Sequence, residues 1–130
     1  MRWLIWDKGQ RDFSLADCEM AWTSQRKASR IFDFARGTAL LDGRHHPTQK
    51  PIALMQWCLG FLPDAKTILD PFMGSAATLA ACQKMGRAGT GIELDPEYFA
   101  IACKRVEEAT RQPDMFVEPP APMVQDGFDL

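Results

Sequence analysis

Acidic side chains follow two short apolar segments in the second half of the chain. Asp70 ends the segment Thr67–Asp70, and Glu93 comes 23 residues later, after a second such segment. Gly74 and Ser75 lie in a turn directly after Asp70. An acid at the end of a strand is placed to accept hydrogen bonds from ribose hydroxyls. A glycine turn that leads into a helix lets backbone N–H groups approach a ligand. The pattern therefore indicates a nucleoside-binding crevice.

The same turn disfavours phosphate-containing ligands. It matches neither G-x-G-x-x-G nor G-x-x-x-x-G-K-[ST], the two patterns whose backbone cradles phosphates. An adenosine ligand without phosphates fits better than a dinucleotide or a nucleoside triphosphate. A second interpretation stays open at this point, in which Gly74 only forms a tight turn and Glu93 is a surface acid.

The elements around these residues are typical of a βαβ unit. Short apolar segments predict strands at Thr67–Asp70 and Ala88–Leu94, and an alanine-rich helix is expected over Ala76–Met85. Asp95 can N-cap a last helix, Pro96–Ala109, because proline is favoured at the first helical position. Strand, helix, strand and helix at this spacing imply parallel strands with a right-handed crossover.

The first half of the chain predicts three more strands and one helix. Strands are expected at Arg2–Trp6, Glu19–Thr23 and Arg30–Phe34, and a helix over Ile52–Leu59 after Pro51. The tryptophans of these elements are expected to pack in the core in preference to stacking on bases. They are Trp3, Trp6, Trp22 and Trp57.

Composition places the chain among ordinary globular proteins. It has 130 residues, 46% hydrophobic and 25% charged, which is typical of one domain and unlike a disordered chain. Residues 1–60 carry nine Lys and Arg against six Asp and Glu, a balance compatible with contact to nucleic acid. No membrane span or secretory signal is indicated. The four widely spaced cysteines predict neither disulfides nor a zinc site, and His45-His46 has no partner ligands nearby. We expect a cytoplasmic protein without a metal.

Three motifs occur in a fixed order: His46-Pro47-Thr48-Gln49-Lys50-Pro51, then Asp70-Pro71-Phe72-Met73-Gly74-Ser75, then Gly91-Ile92-Glu93-Leu94-Asp95-Pro96-Glu97-Tyr98-Phe99. Together they resemble the cofactor-binding half of permuted amino-directed DNA methyltransferases, including phage and prophage enzymes. These enzymes methylate adenine N6 or cytosine N4. The resemblance covers about residues 2–110. It implies a Rossmann-like α/β methyltransferase fold, S-adenosylmethionine as cofactor, double-stranded DNA as substrate, adenine N6 ahead of cytosine N4, and a bacterial or phage-infected cell.

The resemblance also assigns site residues, position by position. Thr48 and Lys50 would hold the methionine carboxylate of the cofactor, and Asp70 would approach its amino group. The other cofactor-binding positions are Phe72, which would pack on the ligand, Gly74 and Ser75 in the turn, Glu93 at the ribose hydroxyls, and Leu94 and Asp95 beside the adenine ring. Ala76 stands where the family usually has a second glycine, and its methyl group is expected to narrow the crevice.

The family's catalytic tetrapeptide is absent from these 130 residues. That motif is Asp, Asn or Ser, then Pro-Pro and an aromatic residue, whereas Pro119-Pro120 lies between Glu118 and Ala121. The family places it upstream of the position of Met1, on a strand between those that end at Asp70 and Trp6. The resemblance therefore implies a C-terminal portion with a gap in its sheet, no catalytic residue and no methyl transfer by itself. An upstream fragment or a second copy would complete the sheet.

Two segments are candidates for contact with partners. The basic residues expected to contact DNA phosphates are Arg26, Lys27, Arg30, Arg36 and Arg44. Residues 1–110 are expected to form the partial methyltransferase domain and residues 111–130 a Pro-rich, mobile tail. Within that tail, Gln112–Phe116 resembles peptides that dock on the bacterial sliding clamp, although an ordinary chain end is favoured.

Other classes of function stay open from the sequence. One is a non-catalytic module that binds S-adenosylmethionine or DNA, and another is one half of a split methyltransferase. A nicotinamide-dependent oxidoreductase is the third, and binding of NAD in place of S-adenosylhomocysteine would identify it.

Overall fold

The computed structural model describes residues 1–11, 14–35, 38 and 49–111. Within these ranges each predicted strand and helix is present, with small differences at the ends. The strands are β1 (Arg2–Asp7), β2 (Cys18–Thr23), β3 (Arg30–Asp33), β4 (Thr67–Asp70) and β5 (Ala88–Gly91), and the helices are α1 (Ile52–Gly60), α2 (Ala77–Lys84) and α3 (Pro96–Arg111). None of these helices has the length and apolar character needed to cross a bilayer.

The five described strands form two separate sheets. In the first, β1 is central, antiparallel to β2 and parallel to β3. In the second, β4 and β5 pair in parallel, as the βαβ pattern predicts. No strand in the described ranges joins β4 to the three-stranded sheet. The family resemblance places the strand of the missing motif at this position.

Helix α1 connects the two sheets through its side chains. On one side, the ring of Trp57 packs against Phe32 of β3 and against Phe61, with centroid distances of 5.2 and 5.0 Å. On the other side, Leu59 packs with Ala81 and Cys82 of α2 in a buried cluster. Aromatic and aliphatic burial of this kind is the main stabilising contribution available between elements that share no backbone ladder.

Helix α2 lies very close to β5, and the glycines of that strand make this approach possible. A Cβ atom at Gly91 would lie 2.3 Å from the Met73 sulfur and 3.0 Å from a Leu79 methyl group. Strand glycines often mark such close approaches. The strand ends at Gly91, whereas the sequence pattern predicts that it extends to Leu94. Its ladder partner β4 ends at Asp70; Ile92 still donates its N–H to the Asp70 carbonyl at 2.9 Å, and its own carbonyl accepts from the Met73 N–H of the turn at 3.0 Å.

The prediction that all four tryptophans pack in the core is wrong in part. Trp6 is buried, and its indole N–H donates to the Phe34 carbonyl at 2.8 Å. Trp3 and Trp22 are instead paired across β1 and β2, and Trp22 is 56% exposed. Side chains alternate between the two faces of a strand. The face shared by Trp3 and Trp22 is therefore the one opposite to buried Trp6.

Candidate functional site

A crevice of about 440 Å³ lies at the carboxyl ends of β4 and β5. In parallel α/β units this is the edge at which ligands bind. Six of the residues predicted from the sequence line it: Lys50, Asp70, Phe72, Gly74, Ser75 and Glu93. The other lining residues are Gln49, Met55, Met73, Ala77 and Thr78.

The Glu93 carboxylate joins the Gly74 turn of the crevice to the start of the segment that leads into α3. Its Oε2 accepts a hydrogen bond from the Gly74 N–H at 3.0 Å, and its Oε1 accepts one from the Asp95 N–H at 2.9 Å. Gly74 has a φ of 53°, a left-handed conformation that glycine adopts without strain. Each carboxylate oxygen can accept a further hydrogen bond. Glu93 thus positions the turn and retains capacity for hydroxyl groups of a ligand.

Asp70 and Phe72 form the rim on the β4 side. The Asp70 carboxylate accepts a hydrogen bond from the Phe72 N–H at 3.1 Å, which fixes the start of the turn. Phe72 is 90% exposed although its side chain is large and apolar. An exposed aromatic ring beside a polar crevice can pack on a flat ligand.

A buried arginine of α3 holds the middle of the turn. The Arg105 guanidinium donates from Nη1 to the Ser75 hydroxyl at 2.9 Å and to the Ser75 carbonyl at 3.2 Å. The Ser75 hydroxyl in turn donates to the Gln49 side-chain oxygen at 3.2 Å. Both Ser75 and Arg105 are buried. Ser75 is therefore part of the support of the turn as well as part of the wall.

Ala76 follows in a left-handed conformation, with φ 60° and ψ 37°. It is fully buried, and it packs with Met73 and with Ala102 of α3. A residue with a Cβ atom is strained in this conformation, and glycine is not. The methyl group packs in the core and is not among the crevice-lining groups of the described residues. The expectation that it narrows the crevice therefore finds no support in its position.

Lys50 enters the crevice wall with an ionic partner from the other sheet. Its ammonium is paired with the Oε2 atom of Glu19 on β2. The Oε1 atom of the same carboxylate lies 2.9 Å from the Lys8 ammonium. Partial burial alone raises the pKa of Glu19, but the hydrogen bonds from Lys50 and Lys8 together lower it by more. The net effect is a pKa below the usual value for a glutamate.

The remaining predicted cofactor residues lie elsewhere. Leu94 is 97% exposed. Asp95 caps α3 by accepting hydrogen bonds from the N–H groups of Glu97 and Tyr98 at 2.8 and 3.1 Å. Neither is among the described residues that line the crevice. Thr48 lies outside the described residues.

Three of the basic residues predicted to contact DNA are described. Arg26, Lys27 and Arg30 are exposed, and they follow the end of β2 that is opposite to Glu19. Glu19 and Thr23 are four residues apart, about 13 Å along a strand. Arg26 and Lys27 follow this far end of β2, whereas Arg30 begins β3 and pairs with Leu4, which in turn pairs with Ala21, two residues from Glu19. Outside the described residues lie Arg36, Arg44, the pair His45-His46 and the segment Gln112–Phe116.

Cys58 and Cys82 are poor candidates for a nucleophile. Burial raises the pKa of the Cys58 thiol to about 11 and also raises that of Cys82. Thiols with raised pKa values stay protonated and are poor nucleophiles at neutral pH. No cysteine lines the crevice in the described part of the chain. A search of the same residues for metal-ligand clusters of three or more finds none.

Two supporting residues were missed by sequence reasoning. Arg105 carried a signal, because it occupies the helix face of buried Ala102 and Ala109, where a cation needs a polar partner. Glu19 carried none, since it lies in a different sheet and 31 residues before Lys50. Only the tertiary arrangement brings the charges of Glu19 and Lys50 together.

Comparisons with known proteins identify the sequence relatives of the chain. The N6/N4 family model described as DNA methylase matches residues 6–104. The DNA adenine methyltransferase YhdJ of Escherichia coli (strain K12) is 35% identical over 91 residues, which cover 68% of this chain and 31% of YhdJ. The type II methyltransferase M2.DpnII of Streptococcus pneumoniae is 43% identical over 63 residues, which cover 48% of this chain and 24% of M2.DpnII.

One solved structure adds a likeness in three dimensions. The crystal structure of the M1.HpyAVI–SAM complex matches with a TM-score of 0.61 and 28% identity, over 80% of this chain and 60% of that chain. The matched segment spans less than a third of the length of the two curated relatives.

Proposed function

The chain belongs to the N6/N4 DNA methylase family, and on this basis we propose that it is the S-adenosylmethionine-binding portion of a DNA methyltransferase. The observation that carries the proposal is the crevice at the carboxyl ends of β4 and β5. It brings the Lys50 ammonium, the Asp70 and Glu93 carboxylates and the Gly74 turn around one space of about 440 Å³.

The donor set of the crevice fits this cofactor. An ammonium such as that of Lys50 suits the methionine carboxylate, and the Asp70 carboxylate suits its amino group. Glu93 retains lone pairs for the vicinal hydroxyls of a ribose, and exposed Phe72 offers a ring to pack on the ligand. Thr48 would assist Lys50, and Leu94 and Asp95 would lie beside the adenine.

The proposed reaction is methyl transfer to an exocyclic amino group of a DNA base, adenine N6 ahead of cytosine N4. When bound, the cofactor supplies a methyl group on a positively charged sulfur. The amino nitrogen of the base is itself the nucleophile, so the chain needs no cysteine nucleophile. The raised pKa values of Cys58 and Cys82 agree with this expectation.

We propose that base positioning comes from a segment other than these 130 residues. No Asp, Asn or Ser followed by Pro-Pro and an aromatic residue occurs in the sequence. We propose that a strand carrying this motif, supplied by an upstream fragment, pairs with the open edge of β4; a second copy of this chain would complete the sheet without supplying the motif. Open strand edges favour pairing of this kind. Without such positioning, the rate of methyl transfer falls by many orders of magnitude. This chain alone is therefore expected not to methylate DNA.

Calorimetric titration of the 130-residue chain with S-adenosylhomocysteine tests the cofactor assignment. We expect saturable binding, weakened about ten- to hundred-fold by Lys50→Met, since a charge-assisted hydrogen bond contributes about 1.5–3 kcal/mol. Lys104→Met, which removes an exposed lysine of α3, is the matched control. Binding of NAD without binding of S-adenosylhomocysteine would refute the proposal. Methyl transfer to unmethylated DNA by the purified chain would refute the assignment of catalysis to another segment.

The exposed basic group Arg26, Lys27 and Arg30 is proposed to contact DNA phosphates, together with Arg36 and Arg44. Each lost phosphate contact should lower the slope of log K against log salt by about one. The double variant Arg26→Ala/Lys27→Ala is therefore expected to weaken duplex binding for all sequences and to reduce this slope by about two. Fluorescence anisotropy at several salt concentrations measures it, and an unchanged slope would exclude these two residues.

A further inference from the structure

Glu19 reaches the crevice from outside the βαβ unit that forms it. Its carboxylate lies between two ammonium groups, with Lys50 on Oε2 and Lys8 on Oε1 at 2.9 Å. The three groups carry one net positive charge. The side chains of Glu19 and Lys50 are 38% and 39% exposed, whereas that of Lys8 is 11% exposed.

We propose that Glu19 is a counter-ion that holds Lys50 while the crevice contains no cofactor, and that the carboxylate of the cofactor replaces it on binding. The inference rests on the proposed function, in which Lys50 receives the methionine carboxylate. Glu19 is then a residue that sets cofactor affinity although it does not touch the cofactor.

The pairs around Glu19 make this exchange inexpensive. When Lys50 leaves, the Glu19 carboxylate keeps its second partner, because Lys8 is largely buried and lies over the ring of Trp6 at 5.4 Å. Glu19 therefore does not become an isolated charge, which would be costly. Lys50 is half-exposed and has a long flexible side chain, so it can turn toward a ligand in the crevice whose wall it already forms.

The alternative, in which Glu19 and the cofactor carboxylate share Lys50, brings two like charges onto one ammonium. Two carboxylates in contact with one ammonium repel each other. Less than half of the Glu19 side chain and less than half of the Lys50 side chain are open to solvent, so water screens this repulsion only in part. The lowered pKa of Glu19 keeps its carboxylate ionised at neutral pH, so the repulsion applies under ordinary conditions. Competition for Lys50 is thus favoured over sharing.

Competition predicts opposite effects for two neutralising variants. Glu19→Gln removes the competing charge, and we expect S-adenosylhomocysteine to bind about two- to five-fold more tightly, the range for a partly exposed ion pair. Lys8→Met leaves Glu19 with Lys50 alone, which strengthens that pair and should weaken binding by a similar factor. A larger effect of both variants at low salt is also expected, because the interaction is between charges.

The ligand 5′-methylthioadenosine separates charge competition from a general change in the crevice. It carries the adenosine and the thioether but lacks the α-carboxylate and the α-amino group of the amino-acid part, so its affinity should be the same in wild type and Glu19→Gln. The control Glu107→Gln neutralises another glutamate with a basic partner, Arg111 at 3.9 Å on exposed α3, and should change neither affinity.

Calorimetry of both ligands with these variants distinguishes failure of the proposed function from failure of the counter-ion proposal. If the wild type does not bind S-adenosylhomocysteine, the proposed function fails and the inference fails with it. If the wild type binds and Glu19→Gln binds equally well or more weakly, only the inference is overturned. Equal tightening of both ligands would also overturn it, because the effect would not depend on the carboxylate.

Discussion

Replacement of Glu93 tests whether one carboxylate both forms the crevice and binds the ligand. In Glu93→Ala, two backbone N–H groups lose their acceptor: that of Gly74, in a partly buried position, and that of Asp95, exposed to solvent. Hydrogen bonds to a charged group contribute about 1.5–3 kcal/mol each. Water can replace the exposed bond at little cost, so the loss of stability is expected to come mainly from the bond to Gly74.

The expected loss is therefore about 1.5–3 kcal/mol, and Tm should fall by about 5–15 °C for a domain of this size. S-adenosylhomocysteine should bind about ten- to hundred-fold more weakly, because the acceptor for the ribose hydroxyls is also gone. Thermal unfolding followed by circular dichroism gives the first quantity, and calorimetry well below Tm gives the second. Glu97→Gln, in the exposed first turn of α3, is the control.

Glu93→Gln separates the two roles. The amide oxygen can still accept the bond from Gly74, while the amide nitrogen cannot accept from Asp95 or from a hydroxyl donor. Most of the stability should be recovered and most of the affinity should stay lost. A Tm fall without loss of affinity in Glu93→Ala would refute the ligand role. An unchanged Tm with lost affinity would refute the structural role.

Three further predictions follow from single side chains. Ala76→Gly relieves about 1–2 kcal/mol of left-handed strain, but it loses a buried methyl group worth about 0.8 kcal/mol and increases the entropy of the unfolded chain. The free energy of unfolding, measured with denaturant, should therefore change by less than about 1 kcal/mol, and the cofactor affinity measured by calorimetry should be unchanged. Clearly tighter cofactor binding would show that the methyl group reaches the crevice. Alkylation at pH 7.5, followed by mass spectrometry, should modify exposed Cys103 well before Cys58 and Cys82, and equal rates would contradict their burial. Because folding lowers the pKa of Glu19, its ion pairs stabilise the fold at pH values above the ordinary pKa of 4.5, and this stabilisation is lost as the pH falls through the lower pKa of the folded chain. The Tm difference between wild type and Glu19→Gln should therefore shrink on acidification. A Tm difference that does not change with pH would exclude this contribution of Glu19.

The sequence predicts the elements of this fold well because each has a strong local signal. The apolar Thr67–Asp70 strand, the alanine-rich helix after Gly74 and the cap at Asp95 depend on neighbours within a few residues. The turn from Asp70 to Ser75 and the acid Glu93 follow from the same locality, since the ends of β4 and β5 must meet at one edge of the sheet, whereas Lys50 follows only from the family resemblance. The βαβ unit and the residues at the ends of its strands can therefore be predicted without information on tertiary contacts.

Features that depend on long-range packing are not readable in this way. Exposure of Trp22 depends on which face of its sheet α1 covers, and the end of β5 depends on where β4 stops. The Glu19–Lys50 pair joins two sheets that share no ladder. Ala76 would be read as an ordinary helix residue, and only its φ of 60° explains why glycine is the unstrained choice there.

The contacts that cross between the sheets give the crevice a specific dependence on helix α1. Arg2 of β1 lies 4.0 Å from the Phe61 ring centroid at the end of α1, and the Gln25 side chain donates to the Phe61 carbonyl at 2.8 Å. These side-chain contacts and the Trp57 packing take the place of a backbone ladder between β4 and the three-stranded sheet. Lys50 lies one residue before Pro51, the N-cap of α1, so movement of this helix shifts the ammonium relative to the other walls of the crevice. In the proposed assembly, a strand that pairs with β4 would add directional backbone hydrogen bonds beside these side-chain contacts, and completion of the sheet would thereby fix the position of Lys50 relative to the other walls of the crevice.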